Sequence, residues 1–200
     1  LAYNKRFNIY EAVMKYLIIC LGICVAFSCQ AQQVYPLNAD YEDIPQNSYL
    51  KDLNNELTPY VGVYKANFNG NETALYITKQ EQKLEKTGQK NYYMDALVIK
   101  YIIKNSTGVI LQDTKNNNYQ NIELYSISTS STQNTVNFFY SGTNCSVGWG
   151  RIILKKINAT QISWEYRPND VTTTADKCPP NLDTTIYLPE TRDLIFTKQK

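Results

Sequence analysis

The sequence predicts an all-β protein, an antiparallel up-and-down meander of about eight to ten strands that closes into a barrel in preference to a sandwich. Three observations carry this. Apolar and polar side chains alternate with a period of two through one short segment after another. The segments are separated by Asn-Gly, Ser/Thr and Gly turn signals, with no helical stretch between them. The composition, with 17 Tyr in 200 residues, favours the aromatic and β-branched side chains that suit a pleated, half-buried surface. A meander must close on itself or fold into two packed layers, and closure removes exposed strand edges.

The elements follow in order. Residues 1–13 carry no periodic pattern and precede the first methionine, Met14, so they read as an upstream extension. Residues 14–28 have the layout of a bacterial secretory signal: a positive start at Lys15, an apolar run over 16–27, then Ser28-Cys29-Gln30-Ala31. The apolar run is shorter than the roughly 20 residues needed to span a bilayer. Two cleavage chemistries remain open. Ala26-Phe27-Ser28-Cys29 resembles a lipobox, which would acylate Cys29 and make it the new N-terminus, whereas cleavage after Ala31 would release a soluble product. Residues 29–58 read as a polar, lipidated tether with Pro36 and Pro45, ending in one helical turn over 52–57 that Ser48 or Asp52 caps and Pro59 stops.

The β domain is assigned to 59–200. Tyr60, Gly62, Tyr64, Ala66 and Phe68 alternate with Val61, Val63, Lys65 and Asn67, and Asn69-Gly70 supplies a hairpin turn. Leu75 and Ile77 continue the return strand. Over 79–86, Lys79 would meet Lys83 and Glu81 would meet Glu85 at helical spacing, so the segment is read as strand. Tyr93 to Ile103 come back, followed by strands at 109–111, 119–127, 136–140, 147–157, 160–166, 185–188 and 193–197, with a Pro- and Thr-rich loop over 167–184.

Several functions are disfavoured. A formal charge of +2 without a basic stripe leaves no electrostatic footprint for nucleic acid. Histidine is absent, which removes the usual general base and the commonest metal ligand. No metal site or cofactor is expected: Asn38, Asp40, Glu42 and Asp43 lack the glycine and closing glutamate of a calcium loop. Asp95, Asp113, Glu123 and Glu165 are the acids that a carboxylate-based hydrolase would have to bring together, and no catalytic residue is assigned.

Cys20 and Cys24 lie in the apolar run and Cys29 takes the lipid, which leaves Cys145 and Cys178 as an even pair in an oxidising compartment, to be joined as a disulfide or buried as two free thiols. Tyr64, Tyr76, Tyr101, Tyr125, Phe139, Trp149 and Trp164 are candidates to line a ligand cavity, or else they fill the core.

The stretch from Tyr49-Leu50-Lys51-Asp52 through Asn54-Asn55-Glu56-Leu57 to Tyr60-Val61-Gly62-Val63-Tyr64, with Pro36-Leu37-Asn38, Asn69-Gly70, Tyr92-Tyr93-Met94-Asp95, Cys145 and Cys178, resembles a family of uncharacterised small lipoproteins from flavobacteria and their relatives. Gly62-Val63-Tyr64 is also similar to the Gly-x-Trp opening of lipocalin-like barrels. The first resemblance implies export, a membrane anchor and these domain boundaries, but brings no activity. The functional expectation is a lipid-anchored, non-catalytic binding protein for a small apolar molecule, a glycan or a protein partner, with a structural envelope lipoprotein as the alternative.

Overall fold

The backbone N–H and C=O groups along each strand call for a partner on both edges, and the chain meets this by closing. The computed structural model describes residues 14–15, 32–88, 90–116 and 122–200. Of the unit Leu1–Gln32 only Met14, Lys15 and Gln32 are described, so the rest of the expected signal segment and the lipidation candidate Cys29 lie outside the described residues.

The described residues of the unit Gln33–Lys200 form eleven strands. They are β1 (Val34–Pro36), β2 (Tyr49–Lys51), β3 (Gly62–Phe68), β4 (Asn71–Thr87), β5 (Lys90–Lys104), β6 (Ile110–Asp113), β7 (Leu124–Ser130), β8 (Thr135–Tyr140), β9 (Gly150–Lys156), β10 (Gln161–Pro168) and β11 (Thr191–Lys198). Hydrogen bonding runs β5-β4-β3-β11-β10-β9-β8-β7, and β7 returns to β5 through Val98 opposite Tyr125. Every neighbouring pair in this ring is antiparallel. The result is a closed, eight-stranded, up-and-down barrel of the lipocalin-like kind, as the sequence predicts.

The inward positions are apolar at every second residue. Tyr64 and Ala66 on β3, Leu75 and Ile77 on β4, Leu97, Ile99, Tyr101 and Ile103 on β5, Phe138 and Tyr140 on β8, Ile152 and Leu154 on β9, and Trp164 and Tyr166 on β10 form one buried cluster. The end of the barrel where β3, β5, β8 and β10 start is called the lower mouth, and the opposite end the upper mouth.

Three segments differ from the sequence reading. Residues 32–51 are not a free tether: β2 adds parallel to β5 at Tyr93 and Met94, β1 adds to β2, and Leu37 and Ile44 are buried in the core cluster. The reason is the length of the β4–β5 hairpin, which outgrows the barrel and leaves a strand edge that needs backbone partners. The helical turn is a 3-10 turn at Thr58–Tyr60 with Pro59 inside it, since proline is pre-set for the first positions of a turn rather than a stop there. The position before the turn is Leu57, with no side-chain cap, and Asp52 instead accepts from the N–H groups of Glu56 (2.6 Å) and Leu57 (3.3 Å) in the chain leading into it. Residues 185–188 form no strand. They cross the upper mouth, with Leu188 buried and the Trp164 Nε1–H donating to the Pro189 carbonyl at 2.9 Å.

Cys145 and Cys178 are joined, with Cα atoms 5.6 Å apart, and tie the β8–β9 loop to the β10–β11 loop. The 33-residue separation places the bridge in the range where loop closure contributes about 3 to 4 kcal/mol. The Cys145→Ser/Cys178→Ser variant is therefore expected to lose that amount in urea denaturation, and the parent protein in reductant should match it.

Candidate functional site

Tyr64, Tyr101 and Trp164, three of the candidate cavity-lining aromatics, point into the barrel and are at most 1% exposed. They meet other rings and one another's neighbours and leave the middle of the barrel filled: Trp164 lies 5.6 Å from Phe196 and 6.4 Å from Tyr166 between ring centroids, and Tyr140 lies 5.8 Å from Tyr166. Their polar ends are satisfied internally. The Tyr101 hydroxyl donates to Gln112 Oε1 at 2.9 Å and lies 3.3 Å from the Tyr140 hydroxyl, while the Tyr166 hydroxyl donates to the Gly148 carbonyl. Burial pushes the Tyr140 phenol up to about 12 and raises Tyr166 and Tyr64 as well.

Tyr76, Tyr125, Phe139 and Trp149 are corrected to the outside of the barrel. Tyr76 sits between the inward Leu75 and Ile77, and Phe139 between the inward Phe138 and Tyr140, so strand alternation turns both outward. Tyr125 meets Phe139 in a tilted pair, ring centroids 5.7 Å apart, and carries the Lys83 ammonium 3.5 Å from its ring centre, with Lys83 in turn paired to Glu85. Trp149 is 40% exposed beside the start of β9.

The acids do not gather in one cleft. Asp95 lies near the lower end of β5, Asp113 on β6 beside the upper end of β5, Glu123 just before β7, and Glu165 on the outer face of β10. Asp95 instead meets Asp52, which sequence reasoning placed only as a cap. Asp95 accepts from the Tyr49 hydroxyl at 2.5 Å and from the Asp52 N–H at 3.0 Å, and Lys79 Nζ sits 2.9 Å from Asp52 and 3.9 Å from Asp95. Each carboxylate oxygen of this pair already has a partner, so the group acts as a latch that binds the 48–57 segment to β4 and β5. Its members are 43 residues apart in the chain, and no local spacing signals the contact.

An open polar site lies at the lower mouth. The Thr58–Tyr60 turn crosses it, and the Tyr60 hydroxyl donates to the Asn134 carbonyl at 2.6 Å, fixing the turn to the β7–β8 hairpin. Burial pushes that hydroxyl up to about 12, so it stays a donor at any ordinary pH. Between turn and hairpin is a cleft of about 220 Å³ lined by Asn55, Glu56, Pro59, Tyr60, Thr129, Ser130, Ser131, Asn134, Thr135, Val136 and Lys156. Thr129 pairs with Val136, whose side chain is in the core, so it shares the inward face of the wall. Its Oγ1 is buried and has no hydrogen-bond partner among the described residues. Glu56 and Lys156 supply one charge of each sign, and neither is in an ion pair among the described residues. The Ser- and Thr-rich run at 128–132 was legible in the sequence only as a turn.

No curated protein matches this chain, and no solved structure matches it. The fold and the clefts therefore stand on their own geometry, while the ancestry of the chain rests on a family model that reaches from Met14 through the barrel: residues 14–199 match a family of unknown function (DUF6705), and the chain belongs to that family.

Proposed function

We propose that this protein is an exported, lipid-anchored, non-catalytic binding protein of a bacterial envelope, of the flavobacterial lipoprotein kind, and that it holds one neutral sugar ring at the lower mouth of its barrel. The observation that carries the reading is the orphaned Thr129 hydroxyl in the wall of the cleft. A buried hydroxyl without a partner costs about 1 to 3 kcal/mol, and a ligand hydroxyl bound there removes that cost.

The rest of the lining agrees. Asn55, Ser130, Ser131, Asn134 and Thr135 are neutral groups that both donate and accept, the charges of Glu56 and Lys156 cancel, and Pro59 offers an apolar face for the C–H side of a ring. The volume of about 220 Å³ suits a single ring rather than a chain. An apolar ligand inside the barrel is disfavoured because the aromatic side chains already occupy the interior.

Titration calorimetry with a panel of neutral monosaccharides tests this. At least one should bind, and Thr129→Val, which keeps the shape and removes the hydroxyl, should weaken it about five- to tenfold, the worth of one neutral hydrogen bond. Equal affinity in the variant, or binding of alkyl ligands in place of sugars, would contradict the proposal. The anchor is tested separately by mass spectrometry of the mature protein from its native host. An acylated Cys29 at the N-terminus is expected, and an unmodified start at Gln32 would refute it.

A further inference from the structure

We propose that the outer wall made by β8, β9 and β10 carries a second binding site, for the carboxylate of an acidic saccharide, held between Arg151 and Arg167. The two arginines stand directly opposite each other in the β9–β10 register, and Phe139 stands opposite Arg151 on the other side. Like charges directly opposed across a ladder are destabilising. The nearest compensation is Glu165, a single carboxylate paired with Arg167 at 3.1 Å, with both side chains substantially exposed. The patch therefore keeps a net positive charge that an anionic ligand would neutralise.

Arg151 is also held in position. Its Nε and Nη2 both donate to Asn137 Oδ1, at 3.1 and 2.6 Å, and Asn137 is only 8% exposed. This fixes the guanidinium plane and leaves its Nη1 without a partner among the described residues. A cleft of about 290 Å³ lies here, with Ile153 as an apolar floor and Asn169 as a further amide. Trp149, two residues before Arg151, offers an exposed indole whose Nε1–H is bound to the Asp170 carbonyl at 3.4 Å.

A planar fork for a carboxylate, next to an aromatic face for ring C–H groups, is the chemistry that recognises a uronic acid. An acidic peptide fits less well. β9 is hydrogen-bonded to β8 on one side and to β10 on the other, so the wall has no free strand edge to offer a peptide backbone.

The test uses the full chain with its disulfide intact and three probes of equal length: oligogalacturonate, the neutral galactose oligomer and oligoglutamate. Oligogalacturonate should bind, more weakly as salt is raised, and at least tenfold more weakly to Arg151→Gln/Arg167→Gln. If that variant fails to fold, Arg151→Lys/Arg167→Lys keeps the charge and removes the fork, and should show the same loss. Thr129→Val should leave oligogalacturonate binding unchanged, which separates this site from the lower mouth. Binding that survives both double variants, neutral-oligomer binding that the double variants weaken as much as oligogalacturonate binding, or oligoglutamate binding as tightly as oligogalacturonate would each overturn the proposal.

Discussion

Raising the pH from about 9 to about 12 is expected to unfold this barrel, with the loss of stability beginning near the ordinary phenol value. Tyr60 and Tyr140 titrate at 10.0 when unfolded and at about 12 in the folded protein, chiefly because burial penalises the phenolate. A group whose folded value is raised gives stability that is complete below the unfolded value and is lost as pH climbs towards the folded one. Above pH 10.0 the unfolded chain therefore sheds protons that the folded chain retains. Each such tyrosine removes about 1.4 kcal/mol per pH unit, so Tyr60 and Tyr140 together remove about 3 kcal/mol per unit. Tyr64 and Tyr166 are raised by the same burial and add to the slope. A typical domain has about 5 to 15 kcal/mol in total, so the barrel should not survive to pH 12. The chain has no histidine, so stability should be nearly flat between about pH 6 and 9. Urea midpoints and tyrosinate absorbance followed together check this. Absorbance from the buried tyrosines should rise in one step with unfolding, and a barrel that stays folded at about pH 12 with an unchanged urea midpoint would contradict it.

Replacing Trp164 by alanine is expected to be among the costliest single changes in the β domain. The side chain is fully buried, packs on Phe196 and Tyr166, and bonds the Pro189 carbonyl that holds the 185–190 segment over the upper mouth. Large aromatic truncations in a core cost about 3 to 5 kcal/mol, and the abandoned carbonyl adds to that unless water reaches it. Trp149→Ala, at an exposed indole, should fall within about 0.5 kcal/mol of the parent. Equal costs at the two sites in urea denaturation would show that the interior is not packed as described.

The barrel was legible because its strands are locally self-consistent. Leu97, Ile99, Tyr101 and Ile103 announce one inward face without any knowledge of the partner strands. Alternation also held the answer for Tyr76 and Phe139, each flanked by two inward residues, once the question was which face and not merely which strand. Closure was an inference from edge avoidance, and in the fold it hangs on the Val98–Tyr125 pairing of β5 with β7. The docking of β1 and β2 was hidden because Leu37 and Ile44 are isolated apolar residues in a polar stretch, and their burial depends on a hairpin that extends beyond the barrel. The lower-mouth cleft was hidden for a related reason: Asn55 and Glu56 reach Thr129 and Lys156 only after the ring has closed.

A filled interior places the proposed sugar site at the lower mouth, outside the barrel core. The chain has two tryptophans, so its amide spectrum carries two indole signals: Trp164 inside the barrel and Trp149 on the wall. In an amide-detected NMR titration with the best neutral monosaccharide, the signals of 55–60 and 129–135 should shift in a saturable way while the Trp164 indole stays in place. A Trp164 indole that moves with ligand concentration would put the ligand inside the barrel and contradict the account.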